Sequence, residues 1–274
     1  MSPATKTAKN TATNLSTNSA KNTATNLDYK TFALKIAYNG GAFSGFAPQK
    51  SRKILSVSET ISNALQSVGI KSSVLGAGRT DKGVHSLGMV VRFYAPRFWE
   101  AQKLAKILSP KIYPHIKIRA LKEVDSSFCP IKDAKKRAYL YLFSPHLQSP
   151  FIAPFVAFER VGDMKILQKC LQAFIGEHNF ALFRKSKSSA KTTNRKIYDA
   201  RLKIFHHFGQ EICGIYIEGN GFLRAQVRLM IGASLAVSRG EVDFSDFVLQ
   251  LEAKKSAWRE PVSANGLYFA KVWY

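Results

Sequence analysis

The chain is poor in cysteine, poor in acids and free of long apolar runs, and each scarcity removes a class of protein. Its three cysteines, Cys129, Cys170 and Cys213, stand far apart with no paired spacing. That argues against a disulfide framework and a zinc site, and it fits a reducing cytoplasm. None neighbours a histidine or sits in a Gly-rich turn, so each reads as a small core residue rather than a nucleophile. No stretch approaches the ~18 apolar residues of a membrane span, and no basic amphipathic helix dominates. Against 41 Lys and Arg stand only 18 Asp and Glu, a formal charge of +23. A field of that sign repels cationic partners and draws in polyanions, nucleic acid first and an anionic membrane surface second.

With 274 residues, 46% of them hydrophobic, the chain can bury a full core as one large domain or two coupled ones. Residues 1–27 stand apart: nearly all are Ala, Thr, Asn, Ser and Lys, and the octet Ala-Lys-Asn-Thr-Ala-Thr-Asn-Leu occurs at 8–15 and again at 20–27. Such a segment cannot bury enough apolar surface to offset its ordering entropy, so it is expected to be disordered and dispensable for chemistry. It has no apolar core of a secretory signal, and its lack of Arg and of amphipathic period argues against a transit peptide. Only Lys6, Lys9 and Lys21 lie in it, so the positive charge belongs to the globular part.

From Phe32 to Tyr38 large apolar residues alternate with small or charged ones, the pattern of a half-buried strand, and Asn39-Gly40-Gly41 forces a turn. Ser56 and Glu59 form a capping box that opens a helix with Val57, Ile61, Ala64, Leu65 and Val68 on one face. A strand, a loop and a strand follow around Asp81, then a helix near Trp99 to Leu108 and a strand near Ile112 to Ile118. In the second half Tyr139, Tyr141 and Phe143 alternate as a strand, and Met164, Leu167, Leu171 and Phe174 keep helical spacing. Strands are expected at Ile197 to Phe205 and Ile212 to Glu218, helices from Gly221 to Gly240 and from Phe244 to Ala253, and a last strand from Leu267 to Trp273. Several strands have only short links between them, which predicts an α+β fold with two similar subdomains sharing a mixed, largely antiparallel sheet. The division expected is a tail at 1–28, a subdomain at 29–125 carrying the Asp81 loop, and a subdomain at 126–274 completing a cleft.

Chemistry concentrates in Gly76-Ala77-Gly78-Arg79-Thr80-Asp81-Lys82-Gly83-Val84-His85, one carboxylate among glycines and cations between two strands. The expectation is a mobile charged tip on rigid flanks. The third glycine of a dinucleotide fingerprint is missing, and no Gly-Lys-Ser/Thr follows to make a P-loop. A metal reading has only Asp81 and His85, with three cations opposing a divalent ion. What remains is an aspartate able to act as nucleophile or base with Arg79 close by, or a turn aspartate paired at the surface. A second basic cluster, Arg184, Lys185, Lys187, Lys191, Arg195 and Lys196, suits phosphates, or is a solvated loop interrupted by Ser186, Ser188 and Ser189.

Ala77-Gly78-Arg79-Thr80-Asp81-Lys82-Gly83-Val84-His85, continued by Gly88-Met89-Val90-Val91-Arg92-Phe93, closely resembles the active-site motif of the tRNA pseudouridine synthase A family. Tyr38-Asn39-Gly40 with Gly45-Phe46 and Gln49 resembles its first motif, and Arg137-Ala138-Tyr139-Leu140-Tyr141 its Arg-x-Tyr-x-Tyr strand. Gly176-Glu177-His178-Asn179-Phe180 with Phe183-Arg184, Asn220-Gly221-Phe222 with Val227-Arg228, and Asn265-Gly266-Leu267-Tyr268 follow in order. There are departures: Phe128-Cys129-Pro130-Ile131 stands where the family has Phe-His-Ala-Arg, so an RNA-contacting arginine expected at Ile131 is absent. Phe46, Ala47 and Gln226 replace a Trp, a Gln and a Met, changes that bear on substrate contacts.

The resemblance implies the pseudouridine synthase fold and an isomerase that needs no metal or other cofactor. It implies uridine-to-pseudouridine conversion in tRNA at nucleotides 38, 39 and 40 of the anticodon arm, by a cytoplasmic homodimer. Asp81 is then the catalytic nucleophile and Arg228 its basic partner, a residue that spacing alone reads as a solvated helix cation. Tyr139, by pattern an ordinary strand aromatic, becomes the tyrosine that stacks on the target base. Arg79 fills the space left by the extruded nucleotide, and His85 either contacts RNA or braces the loop. Arg184, Lys185 and Arg195 hold the tRNA backbone. A non-catalytic RNA-binding or ribosome-assembly protein would share the charge but have no need of Asp81 in a cationic loop. A metal-dependent nuclease would need clustered carboxylates that the sequence does not show.

Overall fold

In the computed structural model, which describes residues 28–48, 54–185, 192–207 and 210–274, the period-two stretch from Phe32 becomes β1 (Tyr29–Tyr38). A 3-10 turn at Gly40–Ala42, α1 (Val57–Gln66), β2 (Leu75–Gly76), β3 (His85–Pro96), α2 (Ala101–Ile112) and β4 (Ile116–Val124) complete the first half. Then come β5 (Lys136–Ser144), β6 (Ala157–Phe158), α3 (Met164–Ala173), β7 (Gly176–Asn179) and a 3-10 turn at Phe180–Phe183. The chain continues through β8 (Asn194–His207), β9 (Gln210–Gly219), α4 (Gln226–Ser238), α5 (Phe244–Leu251) and β10 (Leu267–Trp273). The 1–27 tail, Gln49, Ser186, Lys187, Ser188, Ser189 and Lys191 lie outside the described residues.

The strands form one mixed sheet in the order β4-β1-β3-β10-β5-β9-β8-β7, with β2 paired to β3 and β6 to β5. Only β10 with β3 and β5 with β6 run parallel; the other pairs are antiparallel, as expected for this α+β fold. The last strand is the seam. Phe269 pairs with Ser86 on one side and Tyr139 on the other, which brings the end of the Asp81 loop beside β5.

Two apolar clusters form the core. Phe32, Leu34, Ile36, Val91 and Phe93 pack with Val57, Ile61 and Leu65 of α1 and Leu104 and Leu108 of α2. Tyr141, Phe143, Ile215 and Ile217 pack with residues of α3, α4 and α5. Leu267 and Phe269, two positions apart and so on one face of β10, belong one to each cluster; all five helices therefore lie on the same side of the sheet. Every residue of α4 except Arg228 is buried, which marks it as a core helix with one charged exception.

Four boundaries differ from expectation. Helix α2 passes Pro110 and ends at Ile112, because Leu104, Leu108 and Ile112 share a buried stripe that outweighs the strand preference of isoleucine. Its strand partner β4 starts only at Ile116. Helix α4 begins at Gln226 rather than Gly221: Ala225 adopts a left-handed φ of 58°, and the Gln226 side chain accepts the Leu223 N–H at 2.8 Å. Helix α5 stops at Leu251, ahead of Ala253 at φ 60°. The short β6 and β7 carried no sequence pattern long enough to read.

Candidate active site

The loop between β2 and β3 is not a loose tip. Ala77 N–H donates to Val90 O at 2.8 Å, Phe46 N–H to Thr80 O at 3.1 Å, and Val84 N–H to Asp81 O at 3.2 Å. Tyr38 Oη and Thr80 Oγ1 lie 2.8 Å apart in the core, where burial pushes the tyrosine pKa well up and keeps the phenol neutral. Gly83 takes a left-handed φ of 85°, and Gly40 approaches so closely that a Cβ there would lie 2.1 Å from Val84 O. The glycines serve tight packing and a reversed turn rather than mobility.

Asp81 leaves this braced loop with a side chain 40% exposed, and the Arg228 guanidinium, 14% exposed, stands 3.8 Å away. An arginine in the first turn of a helix opposes the helix dipole and needs compensation. Arg228 finds it in Asp81 and in Val262 O, to which its Nε donates at 2.7 Å. The strap at Val262–Ser263 is itself fixed: Glu159 Oε1 accepts the Ser263 N–H at 3.0 Å and the Tyr141 hydroxyl at 2.6 Å.

Tyr139 lies between the halves, its ring edge-on to Phe222 at 5.1 Å and to Phe269 at 5.4 Å. Burial, with a smaller contribution from the Asp81 charge, pushes its pKa up to about 12 despite nearby Arg137. Asp81, Arg228 and Tyr139 are thus brought together by three separate elements.

Two alternatives left open at the loop are narrowed. Arg79 is exposed and, among the described residues, has no hydrogen-bond or ion-pair partner; the cation at Asp81 is Arg228. His85 is only 1% exposed and faces inward. Its Nδ1 accepts the Gly40 N–H at 3.0 Å, its Nε2 lies 3.1 Å from Pro154 O, and its ring stacks on Tyr268 at 4.8 Å. This is the bracing role, not an open substrate contact. An acceptor at Nδ1 and a donor at Nε2 describe a neutral ring, and burial lowers its pKa from 6.5 in the same sense.

The basic residues separate into two groups. Lys185 N–H donates to Arg224 O at 3.1 Å and Arg259 Nη2 to Arg184 O at 3.5 Å, so three segments carrying four basic residues meet, two of which sequence spacing did not suggest. Arg195 belongs elsewhere, near Gly221. Arg137, present in a quoted motif but given no role, proves to be a clamp. Its Nε donates to Ala77 O at 3.0 Å, Nη2 to Ile131 O at 2.8 Å and Nη1 to Asn220 O at 3.4 Å. The only sequence signal was its place two residues before Tyr139, on the same face of β5.

Two departures from the family pattern are structural rather than substrate contacts. Phe46 is buried with its ring against Gly76, and Gln226 is the buried side chain that starts α4. Among the described residues, no three His, Cys, Asp or Glu side chains converge as a metal ion would require, and no helix is long and apolar enough to cross a membrane.

The mixed sheet is thus backed by helices on one face, with a carboxylate loop set against its centre. A family profile described as tRNA pseudouridine synthase matches residues 170–274. The chain is 45% identical over 249 residues to tRNA pseudouridine synthase A of Helicobacter hepaticus, covering 89% of this chain and 99% of the relative. It is 40% identical over 245 residues to tRNA pseudouridine synthase A of Helicobacter pylori strain P12, covering 89% and 100%. The chain belongs to the tRNA pseudouridine synthase A family.

Proposed function

We propose that this isomerase converts uridine to pseudouridine in the anticodon stem-loop of tRNA, at nucleotides 38, 39 and 40, with Asp81 as nucleophile. The observation that carries the reading is the pairing of Asp81 with Arg228 beside Tyr139, in a chain that matches its relatives over their whole length. In the reaction the N1–C1′ bond breaks, the uracil turns, C5 joins C1′, the C5 proton leaves and N1 gains one. Atoms balance without any external reactant, so a carboxylate that adds to the electron-poor nucleoside and then leaves is sufficient.

Arg228 keeps a positive charge against Asp81 and, through Val262, fixes where that charge sits. Tyr139 presents a protonated phenol at neutral pH, since its pKa is raised to about 12. That suits stacking on the base and hydrogen-bond donation better than action as a resting base. Extruding the nucleotide costs about 3 kcal/mol, and the exposure of Arg79 at the loop supports a role for it in filling the gap. Arg184 and Lys185, with Arg224 and Arg259, supply a cationic patch for the tRNA backbone, and Arg195 a further contact. In this reading residues 29–125 carry the nucleophile, residues 126–274 close the cleft, and a cytoplasmic homodimer holds the tRNA across both subunits.

The test is incubation of the full chain with unmodified tRNA in EDTA, with pseudouridine mapped by chemical labelling. The isomerase forms pseudouridine under these conditions, a metal-dependent nuclease loses its cutting, and a mere binder does neither. Asp81→Asn is expected to abolish the product while tRNA affinity stays within about tenfold, ~1.4 kcal/mol. Turnover near wild type in that variant would end the nucleophile assignment.

A further inference from the structure

Arg137 and Arg195 converge on Gly221, the residue that leads from β9 toward Phe222 and α4. A Cβ placed at Gly221 would lie 3.7 Å from Arg195 Nε and 4.0 Å from Arg137 Nη1, so both guanidiniums border the space that the missing side chain leaves. Neither is in an ion pair with a described residue or with the C-terminal carboxylate. The undescribed residues, 1–27, 49–53, 186–191 and 208–209, contain no Asp or Glu, so they hold no side-chain carboxylate that could compensate the pair.

The donors are only partly used. Arg137 gives Nε and one hydrogen from each Nη to the carbonyls of Ala77, Asn220 and Ile131, which leaves one hydrogen on each Nη. Arg195 gives both Nη1 hydrogens to Thr192 O and Asn194 O, which leaves Nε and both hydrogens of Nη2. Burial lowers the pKa of both groups, and for Arg195 the neighbouring Arg137 adds to it, the mark of two cations held close without an anion. Planar forks with parallel free N–H groups match phosphate oxygens bidentately.

We propose that Arg137, Arg195 and Gly221 form a subsite for a single RNA phosphodiester, the one adjoining the nucleotide brought to Asp81 and Tyr139. The inference rests on the function proposed above. Arg137 and Tyr139 are two positions apart on one face of β5, roughly 7 Å along the strand, so a nucleotide whose base lies on Tyr139 carries its own phosphates to the pair. Glycine at 221 leaves the approach open where any side chain would stand against the two guanidiniums. Arg137 thereby links the subsite to the loop through Ala77.

The test measures affinity for unmodified tRNA across a salt series with wild type, Arg195→Gln and Arg195→Lys. Each phosphate contact on single-stranded RNA contributes about 0.7 to the slope of log K against log salt. Arg195→Gln is expected to lose about that much slope and about tenfold in affinity at low salt, while Arg195→Lys keeps the slope. Methylphosphonate placed at the linkage beside the target uridine should cost wild type at least as much as Arg195→Gln does, and should cost that variant less than it costs wild type, because only the Arg137 contact is left to lose. An unchanged slope in Arg195→Gln, or additive losses with methylphosphonate, overturns the subsite. Tight binding of inorganic phosphate that Arg195→Gln abolishes, with the RNA slope unaltered, overturns it in favour of a free-anion site. Should Arg195→Gln fail to fold, the methylphosphonate series on wild type decides, expected to single out one linkage and overturned by equal effects at every linkage. If wild type forms pseudouridine but the slope does not change, only the subsite falls; if it forms none, the function falls and the salt series still reads the phosphate contact.

Discussion

A carboxylate 40% exposed and 3.8 Å from its guanidinium contributes little to folding; pairs so placed are worth about 0–1 kcal/mol. Asp81→Asn is therefore expected to unfold in urea within about 1 kcal/mol of wild type while losing its product, a separation that denaturation and product assays on one preparation check together. His85 behaves oppositely, as a buried residue that titrates against the fold. Its pKa is lowered from 6.5, so below that pH the unfolded chain takes up a proton that the folded chain resists. Its contribution is fully present above pH 6.5 and is lost as pH falls from there through the lowered value. Urea midpoints at pH 7.5 and 5.5 should differ less in His85→Gln than in wild type, and an equal difference would remove His85 as the cause.

Among the elements, the loop and its supports form one unit in which glycine permits close approach. Gly40→Ala would place a methyl group 2.1 Å from Val84 O, a backbone atom that cannot turn aside. Overpacking of this kind costs about 1–3 kcal/mol, and because Val84 N–H holds Asp81 O the displacement reaches Asp81. The expected result is a stable but slow enzyme, with kcat falling more than tRNA affinity. Helix α1 is held differently. Ser56 Oγ accepts the Glu59 N–H at 3.2 Å and Glu59 Oε2 accepts the Ser56 N–H at 2.7 Å. Ser56→Ala is expected to lower stability by about 1 kcal/mol, measured by urea unfolding, with turnover at permissive temperature near wild type.

For the whole molecule, the insertion of β10 between β3 and β5 makes one sheet of two helix-backed halves and sets the Asp81 loop beside Tyr139. The charge of +23 acts at the same scale, favouring RNA by a long-range field that salt weakens. The Helicobacter pylori relative is matched over its full length by 89% of this chain. Removal of residues 1–27 is accordingly expected to leave the turnover of unmodified tRNA within about twofold, given their composition. A large loss would make that segment a working part of the enzyme.

Local order explains what could be read in advance. The capping box at Ser56, the alternation of Tyr139, Tyr141 and Phe143, and the strand Leu267–Trp273 depend on neighbours in the chain, and each stands where its pattern placed it. Glycines and charges around one aspartate likewise marked the loop as a candidate site from composition alone. Which cation meets Asp81 was not local: Arg79 lies two residues away and turns to solvent, while Arg228 arrives on a buried helix from the far half. The same holds for His85, turned inward against Tyr268, and for Arg137, whose three carbonyl partners come from three segments. Sequence determined the strands, the charge and the candidate carboxylate, because period, composition and residue chemistry are carried by the chain itself. Beyond Arg228, which the family resemblance had already paired with Asp81, only the tertiary structure decided the partners, because hydrogen bonds and ion pairs form between groups that distant strand pairing and helix burial bring within reach.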